Sequence, residues 1–465
     1  MEDLTIISLF LIQALSAVLI AIAFALRCHF LSQYNRLIQE QTNILQKKDL
    51  PIYHSILAVR TQALQKIFHL KPTRYTVLQR LATKNIRMAQ KLIHHQIKIT
   101  PENFLLLLLD AKISLLTNDR KRFQHLMDNI QKPYFLMAGH RAEYLYLCAE
   151  NELYQTDMQS AAAHTSDALK IYKKRHDDYN TALCYQTLSK IYRISGLFDI
   201  ATTLSTEAKQ IYDKLKISAK SAEVEAECGL IEIGRENIKI AREYFNSAAK
   251  ICQENNFHET ESNIKNWQGL TFYLEKSYTN ASKLFKDVLK VSSEPPAKSY
   301  AAEMLARIEI QKKQYDKAQS YADTAILYAK QQDLTPNLFE NLYLKAEIYY
   351  IRQDYTKSRQ ILTELIKQKT PPSTIYYPAN AYTLLGMVEL KENHLDKAHT
   401  LFKQALDLEH SNNRLKGAAI DYNNLAELSR LTGNISEART YLEQALHYAQ
   451  EIDDEDLIKY LKTKL

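Results

Sequence analysis

Glycine and proline are both scarce in this chain, with 8 and 10 among 465 residues. Ordinary usage is about 7% and 5%, so a turn-rich β architecture would lack the residues its tight turns need. The shortage of glycine also argues against phosphate loops, because backbone approaches a phosphate closely only where side chains are absent. Nucleotide enzymes are thereby disfavoured. Cysteine is sparse as well. Cys28, Cys148, Cys184, Cys228 and Cys252 make an odd set with no CxxC pair, so neither a zinc ribbon nor a disulfide framework is expected and reduced thiols are the simpler reading. What is present is a 46% hydrophobic, 24% charged composition, ordinary for a folded chain. Helices are the default.

Charge is distributed unevenly. The net value of +7 conceals a segment from Arg27 to Thr100 that holds thirteen Lys and Arg against Glu40 and Asp49 alone. Glu2 and Asp3 are the only charges before it, so the rest of the chain is slightly acidic. Leu4 to Leu26 is an uncharged apolar run, with Thr5, Ser8, Gln13 and Ser16 as its clearly polar members. As a helix it is long enough to cross ~30 Å of hydrocarbon, and residues 4–26 are expected to form a transmembrane anchor. Ala21-Ile-Ala23 and Ala23-Phe-Ala25 resemble signal cleavage sites, yet the acidic leader and the length of the run fit a signal peptide poorly. Leu26 and Arg27 before Cys28 do not fit lipoprotein processing.

Basic residues tend to stay on the cytoplasmic side of a span. Arg27, Arg36, Lys47 and Lys48 all follow the run, so the body of the protein is expected in the cytoplasm, with a periplasmic body as the alternative. Residues 27–100 read as a basic juxtamembrane helical region, over Ser55 to Phe68 and Arg74 to Ile99 with Pro72 between. Anionic lipid would attract such a segment by ~1 kcal/mol per Lys or Arg near the surface. No aromatic interleaving or binding motif accompanies the charge, so it does not read as a nucleic-acid surface.

Self-similarity organises the remainder. Tyr382-x-x-Leu385-Gly386 is followed by Ala398, Phe402 and Ala405, and the frame recurs forty residues on as Tyr422-x-x-Leu425-Ala426, Ala438, Leu442 and Ala445. Earlier copies centre on Ala346, Ala306, Gly269, Gly229, Ser189 and Ala149, with a degenerate one at Ala111. The small residues predict close helix crossings, with Gly386 facing Ala398 and with Leu385, Leu401 and Phe402 filling the flanks. Gly196 and Gly433 fall at helix corners. Pro101, Pro133, Pro295, Pro296, Pro336, Pro371, Pro372 and Pro378 fall between repeats.

This pattern resembles the tetratricopeptide repeat, in a longer variant of about forty residues against the usual 34. The resemblance covers 104–451, about nine repeats. It implies an all-α, right-handed α-solenoid of antiparallel helix pairs, with 452–465 as a C-terminal capping helix started by Asp453 or Asp454 and running from Glu455 to Leu465. It also implies a protein or peptide partner in the concave groove. An anchored layout of this kind is similar to import receptors of the mitochondrial outer membrane and to bacterial envelope assembly factors. A peptide-responsive signalling receptor is the other reading.

Catalytic chemistry finds little support. Gly229-Leu-Ile-Glu-Ile-Gly234 lacks the Lys-Ser/Thr ending of a phosphate loop. His94 and His95 point about 100° apart on a helix and cannot share a metal. Cys148 and Cys228 occupy apolar repeat positions and read as core thiols, while the carboxylates of Asp453 to Asp456 read as a capping turn. No catalytic residue, metal or cofactor is expected. The tetratricopeptide register places Gln186, Lys190 and Arg193 on the groove, then Asn263, Asn266 and Tyr273. Further along it places Arg307, Tyr343, Glu347 and Tyr350, and finally Asn380, Asn423, Glu427 and Arg430. Amides hydrogen-bond both sides of an extended peptide, and Tyr and Arg commonly anchor interfaces.

Overall fold

The structure is a computed structural model that describes residues 104–116, 119–130, 138–331, 335–367, 376–411 and 414–465. The expected anchor at 4–26, the basic segment 27–100, Cys28, His94, His95, Pro101, Pro133, Pro371 and Pro372 lie outside those residues. Among the described residues every regular element is a helix, and no helix is long and apolar enough to cross a membrane.

The helices come in consecutive pairs. In the first part of the chain these are α1 (Phe104–Leu116) with α2 (Arg120–Asn129), α3 (Ala138–Tyr154) with α4 (Met158–Lys174), α5 (Asp178–Ile194) with α6 (Phe198–Lys214), and α7 (Ser218–Gly234) with α8 (Ile238–Asn255). There follow α9 (His258–Leu274) with α10 (Tyr278–Val291), α11 (Pro295–Gln311) with α12 (Tyr315–Gln331), and α13 (Thr335–Ile351) with α14 (Tyr355–Lys367). The last pairs are α15 (Tyr376–Lys391) with α16 (Leu395–Ser411) and α17 (Leu415–Leu431) with α18 (Ile435–Glu451), and α19 (Glu455–Lys462) closes the chain. Two compact units result, one reaching Glu261 and one from Ser262 to Leu465 that also takes in Glu152–Asp157. Each unit is a stack of helix pairs of the solenoid type.

The crossing within a pair depends on volume matched at a fixed spacing. A Cβ on Gly229 would lie 2.5 Å from the Phe245 ring, one on Gly269 2.7 Å from Phe285, and one on Gly386 2.6 Å from Phe402. Real Cβ atoms essentially never approach so closely, so a fully buried ring takes the volume the missing side chain leaves. The partner is therefore the aromatic residue sixteen positions on, and not Ala398 as the sequence frame suggested for Gly386. Where the first position is alanine, the residue sixteen on is a buried aliphatic of the same core cluster: Leu362 with Ala346, Leu442 with Ala426, and Ala322 with Ala306. Ser189 meets Ser205 through a 2.7 Å hydroxyl contact across the same sixteen residues. Twelve positions on, the spacing is short enough for side chain to reach backbone: Ser189 Oγ donates to the Ala201 carbonyl and Ser358 Oγ to the Ala346 carbonyl, both at 2.9 Å.

Corner geometry repeats as regularly. Thr156, Gly196, Glu236, Lys276, Lys313, Gln353, Asn393 and Gly433 all have positive φ, each seven residues after the small residue of its repeat. The next N–H then returns to the helix, as when Leu197 N donates to the Tyr192 carbonyl at 2.8 Å and Gln314 N to the Glu309 carbonyl at 2.8 Å. This is the left-handed helix ending that glycine adopts without cost, yet only two of these corners have glycine. The prolines are placed differently from the sequence expectation: Pro295 and Pro296 open α11, and Pro336 and Pro378 lie in the first turns of α13 and α15. Proline is tolerated there because a first-turn N–H has no partner within the helix. Gly234 is likewise a packing residue, since a Cβ on it would meet the Phe198 ring at 2.5 Å. At the end of the chain Asp454 is the cap, accepting from Leu457 N at 3.1 Å, while Asp453 takes the left-handed corner. Helix α19 stops at Lys462, short of the expected Leu465.

Cys148 and Cys228 differ from expectation in being half-buried, whereas Cys184 and Cys252 are the fully buried pair. Burial pushes the Cys228 thiol up to about 11, with Glu225 adding to the effect, so it is protonated at neutral pH.

Gly386→Ala is expected to lower stability by ~1–3 kcal/mol through overpacking against Phe402, and Phe402→Leu in the same chain should recover much of that loss, as read by denaturant midpoints. Lys313→Gly should raise stability by up to ~1 kcal/mol by relieving a left-handed residue, and Gly196→Ala should lower it by a similar amount.

Candidate functional site

The first helix of each pair carries the residues that sequence reasoning assigned to the groove. In the first unit Gln186, Lys190 and Arg193 occupy one face of α5 with unequal freedom. Lys190 is exposed. The Gln186 amide donates to Glu223 Oε2 at 3.2 Å and accepts from the Tyr212 hydroxyl at 3.2 Å. Arg193 Nε pairs with Glu227 Oε1 at 2.5 Å. These contacts tie α5 to α7, and with Lys220 paired to Glu223 at 2.5 Å the charges there are matched.

The second unit is organised around Arg307 on α11. Its Nε donates to Glu303 Oε1 at 2.9 Å and its Nη2 to Glu340 Oε1 on α13 at 3.2 Å. Glu347 on α13 acts on the same guanidinium. Burial alone would lower the Arg307 pKa, but the three carboxylates outweigh it and hold the group above its ordinary value. Glu303 is 3% exposed. Burial and the nearby Glu340 raise its pKa against the opposing pull of Arg307. Burial likewise raises Glu347. Tyrosines surround the cluster. Tyr300 and Tyr343 are held protonated by burial, and Tyr343 lies within electrostatic reach of Glu347 and Arg307 and also of Asp421 and Arg414. Tyr273 tilts against Tyr278 at 5.8 Å and Tyr350 against Tyr355 at 5.8 Å.

Asp421 on α17 continues this network toward the end of the chain. It is fully buried. Thr383 Oγ1 on α15 donates to its Oδ1 at 2.8 Å, while Oδ2 has no hydrogen-bond donor. Burial, reinforced by Glu409, pushes the carboxyl up to about 7, against Thr383, Asn424 and Arg414. Arg414 Nη1 donates to Glu409 Oε1 at 3.1 Å and to Asn380 Oδ1 at 3.3 Å. Asn423, Glu427 and Arg430 meet the end of the chain itself. Lys464 Nζ lies 3.2 Å from Asn423 Oδ1 and 3.7 Å from Glu427 Oε2, and Arg430 donates to the Lys464 carbonyl.

The remaining sequence-derived residues divide clearly. Asn263 is exposed on α9, whereas Asn266 is buried and donates to the Ala297 carbonyl at 3.0 Å, which makes it a tie between α9 and α11. Sequence reasoning missed Glu303, Glu340 and Asp421, the carboxylates that set the electrostatics. Glu303 and Glu340 stand three and six residues before the small residue of their repeats, the register positions of Tyr343 and Asn263, so the same frame could have found them.

Elsewhere in this unit Glu389, Glu392 and His394 bring ligand-type atoms within 4.8 Å of one another. The cation among them is Arg359, whose Nε lies 2.6 Å from Glu389 Oε1 and which also pairs with Glu392. Burial pushes the Glu389 carboxyl up, but Arg359 and His394 outweigh it and hold it below its ordinary value.

Asp421 gives a pH dependence with a defined sign. Its folded pKa is raised from 3.8 to about 7, so its contribution to stability is complete at low pH and is lost as pH rises through about 7. Asp421→Asn is expected to raise the melting temperature above pH 7 and to flatten this part of the profile, as followed by thermal melts across pH 4 to 8.

No family model matches the chain, and no curated protein matches it. Solved structures do. A Rap protein complexed with competence and sporulation factor shares 14% identity, a TM-score of 0.53, 73% of this chain and 97% of its own. The apo quorum sensor NprR of B. thuringiensis shares 14% identity, a TM-score of 0.52, 74% of this chain and 97% of its own. A signal transduction ATPase of Pyrococcus horikoshii with a tetratricopeptide repeat sensor shares 13% identity and a TM-score of 0.52, over 92% of this chain and 65% of its own. The fold of this chain is that of tetratricopeptide-like helical-repeat proteins.

Proposed function

We propose that this chain is a non-catalytic helical-repeat protein that binds an extended peptide or protein segment on the faces lined by the first helices of its repeats. Residues 4–26 anchor it in a membrane, the basic segment 27–100 lies against anionic lipid, and the repeats face the cytoplasm, a periplasmic placement being the alternative. The observation that carries the binding reading is the second unit's face itself. Successive first helices contribute tyrosines, amides and a partly exposed Arg307, and their polar groups pair from one first helix to the next, Arg307 with Glu340 and Arg414 with Asn380. Such a surface offers donors and acceptors to a peptide backbone and aromatic area to its side chains. Similarity in fold to a quorum sensor and to a Rap protein bound to competence and sporulation factor supports a peptide-responsive receptor as the second form of this reading.

The structure changes which substitutions test it. Arg307 is unsuitable, because its removal leaves Glu303 buried without its cation, a change worth ~3–5 kcal/mol in stability. Asn266 is unsuitable because it joins two repeats. Asn263→Ala with Tyr273→Phe, which keeps the ring packed against Tyr278, is expected to reduce co-purification of the partner from detergent extracts by roughly tenfold, with the melting temperature close to wild type. A folded double variant that retains its partner in full removes the face from the account. Protease digestion of a C-terminal tag in intact cells tests the topology separately, and cleavage from outside refutes a cytoplasmic body.

A further inference from the structure

We infer that the inner face of the second unit selects its ligand through a lysine or arginine side chain. This ligand chemistry rests on the peptide-binding reading above and deepens it. Charge is the first reason. Between α11 and α17 the carboxylates of Glu303, Glu340, Glu347 and Asp421 face two guanidinia, and Arg414 is already matched to Glu409. Arg414 also pulls on Asp421, so Glu303, Glu340 and Glu347 share Arg307, whose Nε is used on Glu303 and whose Nη2 on Glu340. Burial raises the pKa of Glu303, Glu347 and Asp421, with Glu340 adding to the effect at Glu303 and Glu409 at Asp421, so a further cation beside them would be favoured. Asp421 adds an independent sign. One of its oxygens is buried with no donor at hydrogen-bond distance, the Asn424 amide acting on the carboxyl from beyond it, and the carboxyl lies within electrostatic reach of Tyr343 on this same face.

The second reason is that the chain already seats a cation of its own in this register. In the last repeat the ammonium of Lys464 lies between Asn423 and Glu427, and Arg430 grips the carbonyl of the same residue. These three stand three residues before, one after and four after the small Ala426. The corresponding positions around Ala346 are Tyr343, Glu347 and Tyr350. A ligand lysine placed there would meet a carboxylate at the position where Lys464 meets Glu427. Tyrosine faces on either side would add cation–π attraction. The first unit lacks this bias, because Lys220 and Arg193 match Glu223 and Glu227 one to one.

The test uses the full chain, immobilised in detergent, and a phage-displayed random peptide library at neutral pH and about 0.1 M salt, with the detergent-blocked matrix as control. Enriched clones are expected to share a Lys or Arg at a fixed place in the motif. Changing that residue to Gln in a synthetic peptide should weaken binding roughly tenfold. Glu347→Gln should weaken the basic peptide by a similar factor while leaving the Gln peptide unaffected, since the two changes remove one shared interaction. If Glu347→Gln alters the melting temperature, Glu340→Gln provides the same comparison. Enrichment of a motif that is neutral or acidic throughout overturns the charge selection and leaves peptide binding standing. Failure to enrich any clone above the control overturns both.

Discussion

Everything in this fold depends on how closely two helices of a pair can lie. At their crossing stands a pair of side chains sixteen residues apart, and the way the space is divided between the partners varies from repeat to repeat. Gly229, Gly269 and Gly386 each surrender a whole side chain to a phenylalanine. Ala346 and Ala426 leave room for leucine, and Ser189 and Ser205 share the space as two hydroxyls. Close packing explains why both members matter, since an interior at crystal-like density has no slack for an extra methyl group. Side chains that must reach across the crossing, such as Ser358 to the Ala346 carbonyl, are within bonding range only because the backbones are already near.

Much of this architecture was legible because small residues are informative wherever they recur in register. The helix pairs followed from the positions of Gly386, Ala398, Phe402 and their counterparts, and the scarcity of glycine and proline had already excluded other classes. What the pattern did not carry was which members touch. Gly386 and Ala398 both looked like the close approach, and three-dimensional phase around the helix puts the Phe402 ring over the glycine instead. The left-handed corners were visible only at Gly196 and Gly433, since Lys313, Glu236 and Gln353 adopt the same conformation without any residue-type signal. Tertiary packing overrides local preference there. Burial of the cysteines was misjudged as well: Cys148 and Cys228 precede the small residue and are half covered, although Leu188, Leu305, Leu385 and Leu425 at the same position are buried.

The polar face was readable in outline and obscure in detail. Register placed Tyr273, Arg307, Tyr343 and Glu347 together on one unit, and Arg307 does lie at the centre of the charges there. It did not show that Asn266 is consumed in holding α9 to α11, or that Gln186 and Arg193 bind neighbouring carboxylates. A residue's phase on a helix indicates the direction it points, whereas its availability depends on the next repeat, which single-repeat reasoning does not include. The acids Glu303 and Asp421 were overlooked because buried carboxylates are uncommon and the eye passes over them in an amphipathic pattern.

The step from Gly269 to Ala306 is three residues shorter than its neighbours, yet Gly269 still meets Phe285 at the usual interval. The deletion therefore lies wholly beyond the crossing, in the stretch where α10 ends at Val291 and Pro295 begins α11. A single residue gained or lost inside a corner would slide a ring away from its socket. Length can change at the junctions leading from one hairpin to the next without that penalty. Those junctions are accordingly the places where such an array can accept grafted loops, or be cut and rejoined with whole hairpins added or removed.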